Sequence, residues 1–234
     1  MISIIIPAHN EEKYIEETLK NINNLSTDKD QFEVLVIENG STDRTLEIAN
    51  FFSSKNIKIY SVQTKGVSKA KNFGLTKVSD RSEWIVFLDA DTILKTNFIN
   101  DLNLFLNNNK DKNFVIGTTA VKPLENNSIY ARIWMKFYDL GHKYTKSSFA
   151  IQIMKASLRD RIKFDEELRL AEDLLLISDC LKMGNFFFLN TKEVLTSVRR
   201  FESVGWLRLF LKWNYEAILF KFNKNRKKDY PVIR

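Results

Sequence analysis

Residues 2–7, ISIIIP, followed at once by AHNEE at 8–12, decide how this chain is to be read. An unbroken β-branched run without polar alternation suits a strand buried on both faces, as in a parallel sheet. The polar cluster that stops the run stands directly before a helical pattern, in which Tyr14, Ile15, Leu19 and Ile22 recur at helical spacing across residues 11–23. Working outward, the same unit repeats. Strand-like runs at 32–38, 57–62 and 84–88 are followed by helical patterns at 43–52, 66–76 and 97–106. The second half is less regular, with strands expected at 114–120, 149–154 and 186–189 and helices at 128–144 and 170–182. This alternation predicts an α/β fold with an open, mostly parallel central sheet flanked by helices on both faces. Ligands on such sheets gather at the carboxyl ends of the strands.

Composition bounds the alternatives. With 234 residues and 44% hydrophobic content the chain can bury a sizeable core. Only 7 Gly and 3 Pro oppose a multi-linker or many-turned all-β architecture. The single Cys180 excludes an internal disulfide and a cysteine-rich zinc module, and suits a reducing compartment; His9 and His142 are too few for a histidine-rich metal site. Residues 1–8 lack the basic front and length of a signal peptide, and no run approaches the roughly 20 apolar residues of a membrane span. A cytoplasmic protein, soluble or peripheral to a membrane, is the expectation.

The net charge of +7 is localised. Residues 199–234 hold ten basic and three acidic side chains, so they carry the whole excess, and residues 1–198 are neutral. An anionic partner is expected there. Residues 203–222 read as one helix on which Arg208, Lys212 and Glu216 form a narrow polar stripe among large apolar residues; the basic segment 224–228 follows. Such a helix must be covered by something. An interfacial helix with a polybasic tail fits a peripheral membrane contact; packing on the main domain, or on a second subunit in a homodimer, is the alternative. The chain thus divides into a main α/β domain, 1–200, and an amphipathic helical extension with a basic tail, 201–234.

Three polar clusters mark the strand ends: Pro7-Ala8-His9-Asn10-Glu11, Glu38-Asn39-Gly40-Ser41-Thr42-Asp43 and Asp89-Ala90-Asp91. Singly, Asn10 or Ser41 can be a helix cap and Gly40 a turn residue. Together they fall on one edge of the predicted sheet. Asp89 and Asp91, separated by one small residue, make a hard oxygen site suited to Mg²⁺ or Mn²⁺ with positions left for a diphosphate.

At this point the chain resembles a family-two glycosyltransferase of the GT-A fold. The matching stretches are SIIIPAHNEEKYIEETL (3–19), VLVIENGSTDRTLEIA (34–49), KGVSKAKNFGL (65–75), FLDADT (87–92) and FDEELRLAEDLLL (164–176), in the family's order. The resemblance implies a metal-dependent, inverting hexosyl- or N-acetylhexosaminyl-transferase that uses a UDP- or GDP-type sugar and a glycan or lipid-linked acceptor. It implies that Pro7, Ala8, Asn10 and Glu11 line the nucleotide pocket, and that Glu38, where the family usually has Asp, binds base or ribose. Asn39 stands where a second Asp is common. Gly66, Lys71 and Asn72 match a glycine-to-arginine-asparagine stretch, with Lys in place of Arg. Asp89, with Ala90 beside it, would hold the ribose and Asp91 the metal. Glu172-Asp173 matches the family's acidic pair; Asp173 is assigned as the base that deprotonates the acceptor, with Glu172 second. Arg199 and Arg200 can grip a diphosphate or an acceptor phosphate, or form a solvated basic turn.

Within this class a polyprenyl phosphate is the alternative acceptor. A basic nucleic-acid-binding protein is the different-class rival, opposed by the neutrality of residues 1–198 and the lack of a nucleic-acid module. A nucleotidyltransferase would want a Gly-rich phosphate loop after the first strand, and residues 7–12 hold no glycine.

Overall fold

The computed structural model describes residues 1–63, 65–125, 128–168 and 172–222, with the backbone alone for residue 214 and residues 216–222. β1 (Ile2–Ala8), α1 (Ile15–Asn23), β2 (Phe32–Glu38), α2 (Thr45–Asn50), β3 (Ile57–Ser61), α3 (Val67–Leu75) and β4 (Trp84–Leu88) follow in strict alternation. Next come β5 (Thr92–Leu94), α4 (Phe98–Asn107), β6 (Phe114–Thr119), β7 (Lys122–Pro123), α5 (Ile129–Thr145) and β8 (Ile151–Lys155). The chain continues through α6 (Glu172–Cys180), β9 (Asn185–Leu189), β10 (Val194–Thr196), α7 (Arg199–Val204) and α8 (Trp206–Phe222).

Seven strands form one sheet in the order β3-β2-β1-β4-β8-β6-β9. β3, β2, β1 and β4 are parallel, β8 runs antiparallel to β4 and β6, and β9 is parallel to β6. The central strand explains the opening sequence run. Ile2, Ile4 and Ile6 enter a core on one face with Ile15, Leu19 and Ile22 of α1 and Phe98 and Leu102 of α4. Ile5 enters the core of the other face, beside Leu35, Phe87, Ala70 and Leu75 of α3, and Leu176 and Ile177 of α6. Both sides of β1 are apolar because both are covered. A small second sheet, β5-β10-β7, was not legible in the sequence. Its strands are two or three residues long, below the length at which periodicity is informative.

Close packing fixes one glycine. Gly117 of β6 lies opposite Phe187 of β9, and a Cβ placed on it would stand 2.5 Å from that ring. Phe187 is buried against Trp84, Phe105 and Phe114, so it has no room to yield. Gly117→Ala is therefore expected to destabilise by about 1–3 kcal/mol. Thermal melting should fall by roughly 2–4 °C for each of those kcal/mol. Unchanged melting would mean that β6 and β9 can separate without cost.

The C-terminal region differs from the single helix expected over 203–222. Gly205 adopts φ +94°, a conformation L side chains rarely take, and breaks the helix into α7 and α8. α7 starts at Arg199, so the boundary drawn at 200/201 falls inside a helix. Phe201, Trp206 and Leu209 are buried in the core that contains β1. Phe201 stacks on Trp206 at 4.5 Å and meets Tyr138 of α5 at 5.1 Å. One face of the extension is thus covered by the catalytic domain, while Leu207, Leu211 and Tyr215 remain exposed. The basic segment 224–228 lies outside the described residues. Among those described, no helix is long and apolar enough to cross a membrane.

Candidate active site

The register of β1 with β2 and β4 brings the three polar clusters to one edge. Ala8 lies opposite Glu38, and Ile5 opposite Phe87, so Asp89 follows β4 at the level where β1 ends. The loops are then laced to one another. Asn10, at φ +56°, accepts the Thr42 N–H through Oδ1 (2.8 Å), and its own N–H donates to Ser41 Oγ (3.1 Å). Thr18 of α1 donates to the Ala90 carbonyl (2.8 Å), which anchors the Asp89–Asp91 turn. The Asp89 N–H donates to the carbonyl of Ala150, itself at φ +60°. Two non-glycine residues in the left-handed region flank this edge, where functional sites commonly store strain.

Several expected ligand residues have protein partners. Both oxygens of buried Glu38 accept hydrogen bonds, from the Ser41 N–H and from Ser61 Oγ (2.6 Å). Asn39 is buried, and with its amide oriented to satisfy both ends, Nδ2 donates to the Ala8 carbonyl (2.7 Å) and Oδ1 accepts the Gly66 N–H (3.2 Å). It ties β1 to the start of α3, a task that needs a donor and an acceptor and so suits Asn better than Asp. Gly66 takes φ +132° at the α3 N-cap. Asn72 faces residues 164–166: its Oδ1 accepts the Phe164 N–H (2.9 Å), and Nδ2 donates to the Phe164 carbonyl and to Glu166 (both 2.9 Å). Pro7 is half-buried and Ala8 fully buried at the end of β1.

The charged residues converge. Arg199 donates to both oxygens of Glu11 (2.9 and 3.0 Å), stands 3.0 Å from Asp91 Oδ2, and lies over the Tyr14 ring at 4.4 Å. It is no solvated turn. The Ser197 N–H donates to the Asp91 carbonyl (3.1 Å) and the Val198 N–H to Glu125 (2.9 Å), so the entry to α7 is pinned against the Asp89–Asp91 turn. Lys71 is buried, 3.9 Å from Glu172 and 4.8 Å from the centre of the Phe164 ring. Its charge acts on both Asp89 and Asp173, and the Arg200 charge acts on Asp89 and Asp91. Five carboxylates (Glu11, Asp89, Asp91, Glu172, Asp173) thus share one poorly solvated region with three cations (Lys71, Arg199, Arg200).

The acidity of the site follows from that imbalance. Burial, then the Asp89 charge, push Asp91 up to about 7 against the pull of Arg199. Burial also raises Asp89, which Lys71 and Arg200 oppose. Asp173 is raised to about 7, first by burial and then by the Glu172 charge. Ser148 Oγ donates to it at 3.4 Å. A carboxyl that titrates near neutrality is matched to proton transfer. Burial and the neighbouring Asp89 charge both disfavour the ionised form of Asp91, which a nearby cation would favour. Among the described residues no three His, Cys, Asp or Glu form a ready-made cage. One or two carboxylates completed by substrate phosphates is the usual setting for Mg²⁺, so the donor set fits such an ion.

Sequence reasoning missed Tyr14 as the platform for Arg199, because it reads as one more apolar residue of the first helix. It also missed Ser148, which no pattern marks.

The sheet order and the carboxylate clusters at its carboxyl edge define a protein of the GT-A type. Residues 3–168 match the sequence profile of Glycosyl transferase family 2, and the chain belongs to that family. It is 27% identical over 222 residues to the minor teichoic acid biosynthesis protein GgaA of Bacillus subtilis, covering 82% of this chain and 48% of that one. It is 31% identical over 180 residues to the poly(ribitol-phosphate) beta-N-acetylglucosaminyltransferase TarS of Staphylococcus aureus, covering 74% and 31%. The crystal structure of S. aureus TarS 1–349 in complex with UDP-GlcNAc superposes with a TM-score of 0.69 at 26% identity, over 85% of this chain and 58% of that chain. The chain spans about half or less of the length of these two curated relatives.

Proposed function

We propose that this chain transfers a hexosyl or N-acetylhexosaminyl group from a UDP-type sugar to a hydroxyl of a glycan or lipid-linked acceptor, with inversion, next to a membrane. The observation that carries the reading is the single charged unit in which Asp89 and Asp91, Glu172 and Asp173, and Lys71, Arg199 and Arg200 meet at the strand ends. A UDP-sugar is favoured over a GDP-sugar by the nucleotide held in the related TarS structure. Relatives named for teichoic acid and poly(ribitol-phosphate) favour a phosphate-bearing polymer as acceptor.

In this reading the loops of Pro7, Ala8, Asn10, Glu11, Glu38 and Asn39 shape the nucleotide pocket. Gly66, Lys71 and Asn72 close it from α3, and Asp89 with Ala90 meets the ribose. Asp173 accepts the acceptor's hydroxyl proton while the new O–C1 bond forms, the C1–O(phosphate) bond breaks and the nucleoside diphosphate leaves; burial, and then the Glu172 charge, keep the Asp173 pKa high. Arg199 and Arg200 bind the departing diphosphate or an acceptor phosphate. A Mn²⁺ or Mg²⁺ ion held by Asp91 would neutralise charge on that diphosphate. The exposed row of α8, with the basic residues beyond it, provides peripheral membrane contact.

A polyprenyl-phosphate acceptor is the second reading, favoured by the apolar surface that Leu207, Leu211 and Tyr215 present on α8, the helix directly after Arg199-bearing α7. A phosphate acceptor has no proton to lose, so it makes Asp173 dispensable. The first test is nucleotide release by the purified chain from UDP-N-acetylglucosamine, UDP-glucose and GDP-mannose, with UDP and GDP binding measured alongside. Slow release of UDP, faster with Mn²⁺, is expected, because such a site transfers sugar to water when no acceptor competes. Failure to bind either nucleotide at millimolar concentration would overturn the reading.

A further inference from the structure

We infer that the outer face of α5 is a docking surface for an anionic lipid bilayer. The inference rests on the membrane-proximal reading above and extends it from α8 to α5. α5 has two apolar faces. Ala131, Met135 and Tyr138 point inward and are buried. Ile129 (76% exposed), Ile133 (62%), Phe137 (48%), Leu140 (52%) and Tyr144 (75%) point outward. At about 100° per residue these five positions fall within an arc of about 80°, a stripe about 25 Å long on a helix of this length. Exposed large apolar residues are ordinary when scattered. A continuous stripe that stays largely exposed from Ile129 to Tyr144, with Phe137 partly covered by Phe210 of α8, is not, and marks a contact surface.

Charge identifies the occupant. Arg132, Lys136 and Lys143 are exposed, about 20–60° from one edge of the stripe, and exposed Lys146 follows at the C-cap. The helix has one acid, Asp139, and it is turned inward: its carboxyl accepts the Val121 N–H (3.1 Å), and burial raises its pKa to about 7. The outward face therefore combines an apolar stripe, tyrosines near both ends at Tyr130 and Tyr144, and a flank of cations for which α5 itself supplies no outward-facing acid. That is the make-up of a helix lying in a bilayer interface, where apolar burial and attraction to anionic headgroups act together. A second copy fits less well, because a two-fold contact joins the same patch on both subunits, and α5 brings no outward acid to that patch to meet the cationic flank. α8 packs beside α5 through Phe137–Phe210 (5.2 Å) and Trp134–Phe210 (6.2 Å), and adds its own exposed row of Leu207, Leu211 and Tyr215. Both helices adjoin α7, whose first residue, Arg199, reaches the carboxylates of the site. Docking by this face would hold the site within reach of an acceptor at the membrane.

The test is flotation of the 234-residue chain with vesicles of phosphatidylcholine alone or with 30% phosphatidylglycerol, using wild type, Ile133→Ser/Leu140→Ser and Lys136→Gln/Lys143→Gln. Wild type should float with the anionic vesicles and lose most of that binding at 1 M salt. Removing two lysines should weaken partition by about 25-fold, at about fivefold for each basic residue near the surface. The serine pair should weaken it at least tenfold at either salt. Both variants should keep wild-type circular dichroism and UDP affinity, which separates this surface from the donor site. Wild type that ignores anionic vesicles, or α5 variants that float as well as wild type, overturns the inference. So does a concentration-dependent dimer, without vesicles, that Leu140→Ser abolishes, since the face would then belong to a second copy. Absent UDP binding in a wild type that floats would strike the glycosyl-transfer reading and leave this one standing.

Discussion

Asp173→Asn is expected to bind UDP-sugar within about twofold of wild type and to lose transfer to a hydroxyl acceptor by roughly 10²–10⁴-fold. An amide keeps the size and the Ser148 contact of the carboxylate but cannot take the acceptor proton. The loss should therefore appear in kcat, with the donor KM little changed. The pH profile provides an independent check. Burial and the Glu172 charge raise Asp173 to about 7, so the basic form predominates only above that pH. Wild-type kcat should climb as pH rises through about 7 and then level off, and Glu172→Gln should shift the climb to lower pH by removing the like charge. Near wild-type turnover in Asp173→Asn would exclude it as the base. If that turnover is on a polyprenyl phosphate, the second acceptor reading prevails; if on a hydroxyl, Glu172 is the next residue to test.

The second large effect concerns Asp91. Titrating UDP into wild type with and without Mn²⁺ should show affinity at least tenfold tighter with the ion, because the pocket already holds more carboxylates than cations. Asp91→Ala should bind UDP equally well under both conditions. Arg199→Ala separates the two sources of positive charge. Removing the guanidinium 3.0 Å from Asp91 should let Mn²⁺ bind more tightly in the absence of nucleotide, while weakening UDP binding in its presence. Equal UDP affinity of wild type with and without Mn²⁺ would remove the ion from the site and leave Arg199 as the cation of Asp91.

Much of this site is local in origin, which is why it could be read early. A parallel strand buried on both faces must be apolar throughout, so the polar residues that end it stand out at Asn10, Glu38 and Asp89. Their convergence follows from strand pairing alone, since parallel neighbours end at the same edge. Glu172-Asp173 was legible only through the resemblance, because an acidic pair at a helix start also suits the helix dipole.

The remaining features depend on contacts between distant segments. Arg199 meets Glu11 from 188 residues away, and no pattern in the basic run 199–200 shows that its first member lies half-buried over a ring. Asn72 reaches Phe164 across 92 residues and serves as a clasp, although its motif alone suggests a ligand. The sequence by itself determined the fold class, the sheet edge at which the polar clusters meet, and the confinement of net charge to the C-terminal segment. These rest on residue periodicity and on counting, both of which are properties of a chain before it folds. Which apolar residues of α5 and α8 lie against the core and which are left facing outward depended on the kink at Gly205 and on the aromatic packing around Phe201. A helix with apolar residues on two faces has no internal preference for one of them, and the neighbouring surfaces alone make the choice.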